Sequence, residues 1–237
     1  MPSGATHLAD MDDSAFDKAL IAAAFDLAGR TGWGRLSVAA AATEAGLPLA
    51  RARARFPGRH SVLLRFGVLA DQAALVDTSP DSSTRDRLFD MLMRRIDVLQ
   101  AHRAGVLALL RTLPSDPPLA LLLALATRRS LRWILEAADV PARGLRGELR
   151  VRGLGAVWLW TVRTWRTDES ADLSATMAAL DHALRRAERA AGWLDGNPAR
   201  TEPPAGHDDP GHDGEPDLPA APLDTPPEPP PSPPEAI

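Results

Sequence analysis

The chain has no cysteine. Disulfides, thiolate metal sites and a cysteine nucleophile are therefore excluded. Tyrosine is absent too, and Lys18 is the only lysine among 27 basic residues. Such heavy use of arginine and alanine marks a GC-rich coding bias, so an arginine cluster carries meaning through its position and not its size. Long apolar runs are missing. The longest, Leu119–Ala126, falls far short of the roughly 20 residues that cross a bilayer. The opening MPSGATHLADMDD is acidic and has no apolar stretch of the signal-peptide kind. A soluble, cytoplasmic protein without stable membrane insertion is expected. There is no Walker loop, no glycine-rich dinucleotide turn and no G-x-S-x-G. The six histidines form no ligand set: His182 has Arg186, not a second ligand, one turn on, and His207 and His212 stand in a polar tail. No enzyme, cofactor or metal site is expected.

What the chain does have is a hydrophobic content of 45%, enough for a core, and an uneven charge. The net charge of −4 divides at Gly196. Beyond it stand one arginine, nine acids and 14 of the 22 prolines. Proline supports neither helix nor ladder hydrogen bonds, and the stretch has too few apolar residues to offset its ordering entropy. Residues 196–237 are expected to be a disordered Pro-rich acidic tail, either simply solvated or a polyproline site for a partner. Residues 1–12 are expected to be disordered as well.

Between these ends the apolar residues recur with helical period, and no segment alternates with period two, so an all-α body is expected. The spacing and the breakers predict helices over 14–30, 38–45, 49–55, 59–77, 84–100, 103–112, 117–138, 146–166 and 171–194. Ser14 and Ser37 are the expected N-caps of the first two, and Asp17 falls in the first turn, where negative charge is favoured. Gly46 occupies the C′ place after the second helix, and Phe56 precedes Pro57 and so marks a boundary. Asp168, Glu169 and Ser170 are expected to cap the last helix. In that helix Leu173, Met177, Leu180, Leu184, Ala187, Ala191 and Leu194 repeat with 4-3 spacing, a heptad seam. The seam serves either a homodimer interface, with Leu173, Met177, Leu180 and Leu184 at its centre, or packing inside one subunit.

Two short helices joined by a glycine turn, after a longer helix, make the helix-turn-helix pattern. Arg35 to Phe66 hold six arginines against one acid, Glu44. DNA affinity grows with the phosphates neutralised, so such local charge suits a phosphate backbone. At about 100° per residue Arg51 and Arg55 share a face while Arg53 points roughly the other way. The bland alternative is an arginine-coated helix with no ligand.

Residues 16–66 resemble the DNA-binding domain of TetR-type transcriptional regulators. The match runs through Gly32-Trp33, then Ser37-Val38-Ala39-Ala40-Ala41-Ala42-Thr43-Glu44-Ala45-Gly46-Leu47-Pro48, then Phe56-Pro57-Gly58-Arg59-His60-Ser61-Val62-Leu63-Leu64. The resemblance implies a TetR-like fold: a helix-turn-helix domain over 13–66 and a helical ligand-binding and dimerisation bundle over 67–195. It also implies a homodimeric regulator, a repressor by preference, that binds double-stranded DNA through Ser37, Arg51, Arg53, Arg55 and Arg59. Arg53 and Arg55 stand where the family has phosphate-touching aromatics. A small hydrophobic effector is implied in the bundle, with Met91, His102, Leu109, Leu122, Trp133 and Trp158 as the candidate pocket. Each of these is equally readable as core, and His102 as a cap or surface residue. A second, weaker resemblance, to ubiquinone-biosynthesis accessory proteins of the same fold, rests on Gly32-Trp33, Ala45-Gly46-Leu47-Pro48, Phe56-Pro57, Arg94-Arg95, Trp133, and Trp165 with Asp168 and Ser170. It implies lipid binding without DNA binding.

Overall fold

The computed structural model describes residues 11–76 and 82–194, and side chains as far as residue 192. Most of residues 1–12 and all of 196–237, with His207 and His212, lie outside the described residues, as does the Leu194 side chain. Among the described residues every regular element is helical. The elements are α1 (Asp13–Thr31), a 3-10 turn (Trp33–Arg35), α2 (Val38–Glu44), α3 (Leu49–Arg55), α4 (Arg59–Ala74), α5 (Thr84–Ala101) and α6 (Arg103–Thr112). A second 3-10 turn (Leu113–Ser115), α7 (Pro117–Ala137), α8 (Gly144–Trp165) and α9 (Ser174–Leu194) complete the body. None of these helices is long and apolar enough to cross a membrane.

Local chemistry explains the boundaries. Asp12, not Ser14, caps α1: its carboxylate accepts the Ala15 N–H at 2.7 Å. An aspartate at the cap moves Asp13 and Ser14 into the first turn. Gly32, at φ 88°, ends the helix in a backbone conformation that costs glycine nothing. The inner face of α1 buries Phe16, Leu20, Ile21, Ala24, Phe25 and Ala28. Each large apolar side chain there contributes about 1.5–3 kcal/mol by transfer from water. The ring of Phe25 lies 5.3 Å from Trp33 and 4.4 Å from Phe66, so the first helix, the turn and α4 share one aromatic centre.

α1 also crosses α6 at very close range. A Cβ on Gly105 would stand 2.3 Å from the Phe25 carbonyl oxygen, and one on Gly29 would stand 2.9 Å from Ala104 Cβ. Backbone meets backbone here, and this contact ties the three-helix head to the rest of the molecule. α4 forms the other tie. It runs unbroken from Arg59 to Ala74, close to the expected 59–77, and packs on α5 and α7. Near its far end Asp71 accepts from Arg95 of α5 and Ser130 of α7, and the Arg95 guanidinium stacks 5.2 Å from the Trp158 ring of α8. Arg95 is buried, and desolvation pushes its pKa down while Asp71 opposes that shift.

α9 packs chiefly on α8. It starts at Ser174 and not near 171, because the turn before it is longer than expected. Leu173 sits at φ 55°, and Asp168 reaches forward eight residues to accept the Thr176 N–H at 2.8 Å and its hydroxyl at 2.6 Å. The same carboxylate takes the Ser170 hydroxyl at 2.5 Å. Trp165 donates to Gln100 at 2.8 Å, and Arg103 donates to the Asp168 carbonyl at 2.9 Å. Trp165, Asp168 and Ser170 thus close the end of the bundle, which is a structural role.

Two outcomes test this packing. Gly105→Ala should lower stability by about 1–3 kcal/mol, since neither backbone can yield. Gly67→Ala, with nothing within 4 Å of the new methyl, should raise it by about 0.5–1 kcal/mol through helix propensity. Chemical unfolding of both variants reads the contrast. Hydrogen bonds from Ser170 and then Thr176 hold the Asp168 carboxyl well below the usual carboxylate range. A depressed native pKa gives stability that is complete above the unfolded value, about 4, and is lost as the pH falls below it. Asp168→Asn should therefore melt below wild type at about pH 7 and converge on it toward about pH 2. Parallel melting curves would contradict the assignment.

Candidate nucleic-acid interface

The helix-turn-helix is assembled by caps. Ser37 accepts the Ala40 N–H at 3.4 Å and starts α2. Its end is a Schellman turn: Gly46, at φ 66°, donates to Thr43, and Leu47 donates back to Ala42 at 2.8 Å. Leu47 is buried, which fixes the turn against the head. Pro48 then opens α3 without a side-chain cap, and Phe56, buried ahead of Pro57, closes it. Gly58 starts α4, with the Ser61 hydroxyl taking its N–H.

α3 buries one residue, Ala52, and the arginines divide around it. On one flank Arg51 donates to Asp13 at 2.7 Å, its guanidinium 4.5 Å from the Phe16 ring. Arg55 grips Asp17 with two bonds, 2.7 and 2.8 Å, and touches Asp13 at 2.5 Å. Arg65 of α4 stands 3.1 Å from the same Asp17. The Asp17 side chain is only 5% exposed. Its hydrogen bond raises the Arg55 pKa above the ordinary value, and Arg51 pulls that of Asp13 down. Part of the local excess of positive charge counted along the sequence is thus met in space by two carboxylates of α1. Their i, i+4 spacing, matched by Arg51 and Arg55, was the available signal.

On the other flank stand Ser37, Arg53 and Arg59. They border one open groove, about 510 Å³, whose floor includes Leu36, Ala52 and Phe56. Arg53 is exposed and donates to the Pro57 carbonyl at 2.6 Å. Arg59 donates to the Gly34 carbonyl at 3.1 Å and lies 3.9 Å from Asp116. Among the described residues no carboxylate pairs with Arg53. Of the five candidate DNA contacts, then, three face one groove and two face α1.

None of the six candidate pocket residues lines the groove beside α3. Met91, Leu109 and Trp158 are buried in the core, and Leu122 is half-buried. Trp133 is 58% exposed. His102 is wedged between Phe25 at 5.5 Å and Phe66 at 5.6 Å, where burial lowers its pKa. A second groove, about 500 Å³, lies between Ala73, Val76, Arg94 and Ala101, and none of the six lines it. The heptad seam turns inward: Leu173, Leu180 and Leu184 are buried and Met177 is half-buried, facing the chain's own bundle. Exposed apolar residues stand on α8, with Leu145, Leu149, Leu159 and Trp160, and on α7, with Leu121, Leu125 and Trp133.

No family model matches the chain, and no curated protein matches it. Solved structures do. The TetR transcriptional regulator from Nitrosomonas europaea ATCC 19718 superposes with a TM-score of 0.60 at 21% identity, over 73% of this chain and 98% of that one. A TetR-family transcriptional regulator from Streptomyces coelicolor gives 0.56 at 22%, over 78% and 86%. A TetR transcriptional regulator from Rhodococcus sp. RHA1 gives 0.50 at 18%, over 75% and 97%. At these identities the likeness establishes the fold.

Proposed function

We propose that this chain, which has the all-α fold of TetR-type regulators, is a cytoplasmic, homodimeric DNA-binding transcriptional regulator that represses by occupying its operator. The reading rests on one observation: Ser37, Arg53 and Arg59, from three successive helix starts and ends, border a single open groove beside α3. Guanidinium groups bordering one groove suit the phosphate backbone, while α3 enters the major groove. Control by a small hydrophobic effector fits the course of α4. Its first turn carries Arg59, and its later turns hold Asp71 against Arg95 and Ser130. A ligand that favours a different seating of α4 on α7 shifts the population competent for DNA.

Two recognition helices must stand about one turn of DNA apart, roughly 34 Å, which requires a second copy. The outer face of α8 supports that copy. Leu145 is 81% exposed, Leu159 69% and Trp160 54%, with the small residues Gly153 and Ala156 between them. A symmetric contact sets this face against itself.

Anisotropy of labelled duplex from the gene's own upstream region, titrated across salt, tests DNA binding. Wild type should show a steep log–log slope, and Arg53→Ala/Arg59→Ala a slope flatter by about two. Equal, weak, salt-insensitive binding by both proteins would defeat the reading. Sedimentation of Trp160→Asp/Leu159→Asp tests the dimer: wild type should run as a dimer and the variant as a folded monomer. A variant that stays dimeric would move the interface elsewhere.

A further inference from the structure

The recognition helix is poor in hydrogen-bonding side chains on the side that it turns outward. At about 100° per residue, Ala50 and Ala54 stand opposite the buried Ala52, one turn apart. Both are exposed. Leu49, 53% exposed, lies on the groove flank, and Arg53 stands between it and the alanines around the helix. Arg53 donates back to the Pro57 carbonyl, along the helix toward the start of α4 and away from the outward face. The remaining cations of α3, Arg51 and Arg55, are held on the opposite flank by Asp13 and Asp17. The outermost surface is therefore two methyl groups, bordered by a cation suited to phosphate, with the leucine beyond it on the groove flank.

Resting on the DNA-binding reading above, we infer that α3 reads its operator through thymine methyl groups, with Ala50, Ala54 and Leu49 as the specificity-determining residues. A major-groove edge offers one apolar group, the C5 methyl of thymine, and alanine is a side chain suited to it. The short side chains let the helix backbone approach the groove floor closely. Arg53 and Arg59 fix register on the phosphates without reading sequence. Arg51 and Arg55 are positioning residues: they hold α3 on α1 and touch no base.

The test uses the full-length protein and a random duplex library. Sequences are selected from it, and the selected duplex is then compared by anisotropy with the same duplex carrying deoxyuridine in place of thymidine. The selected half-site should contain thymines at the positions under α3. Removing their methyl groups should weaken binding by about fourfold for each methyl buried. Leu49→Ala and Ala50→Gly should shrink that thymidine-to-deoxyuridine ratio. Equal binding of the two duplexes overturns the inference, with no variant needed. A selected guanine whose preference disappears in Arg51→Ala or Arg53→Ala overturns it as well, and leaves DNA binding itself intact. Absence of salt-dependent binding to the unselected library at low salt overturns the parent reading and the inference together.

Discussion

The Asp17 carboxylate sits inside the three-helix head and is met by Arg55 from α3 and Arg65 from α4. A charge removed from water is tolerated only with partners in good geometry, and losing one partner leaves the other uncompensated. Here the geometry is bidentate on the Arg55 side, which is the strong form of the contact. α3 is seven residues long and buries a single alanine, so apolar burial alone anchors it weakly. The ion pairs to Asp13 and Asp17 supply the anchor. The orientation of α3 in the head rests on these carboxylates.

From that constraint follows a division of labour among residues of one type. Arg51 and Arg55 turn to α1 and hold the helix. Arg53 and Arg59 turn to the open groove, where, among the described residues, Arg53 has no carboxylate partner and Arg59 stands 3.9 Å from Asp116. The outward face between the two flanks is left to Ala50 and Ala54. The head in turn is joined to the body twice, by the close crossing of α1 on α6 at Gly29 and Gly105 and by the unbroken course of α4. A displacement of α4 in the body reaches Arg59 through a continuous helix.

Much of this was legible in the sequence, and for physical reasons. Gly46, Ser37 and Pro57 are local signals, acting within a few residues, and they put the bounds of α2 and α3 within a residue of where they lie. The start of α9 was not legible, because Asp168 caps it across eight residues through Thr176. The 4-3 spacing of Leu173, Leu180 and Leu184 revealed a seam but not its partner; periodicity states that a face is buried and is silent about what covers it. The arginine run carried the same ambiguity. Charge counted along 35–66 omitted Asp13 and Asp17, which are distant in sequence and adjacent in space. Five of the six candidate pocket residues were chosen by apolar character, a property that core and ligand contacts share, and Met91, Leu109 and Trp158 stand in the core.

The most direct measurement is made on Arg55→Ala, by urea unfolding and by the salt dependence of DNA affinity at a temperature where the variant is folded. If Arg55 holds α3 to Asp17, stability should fall by about 2–4 kcal/mol and the log–log salt slope should match wild type. Unchanged stability with a slope flattened by about one would place Arg55 on a phosphate, and would contradict the division between holding and binding arginines.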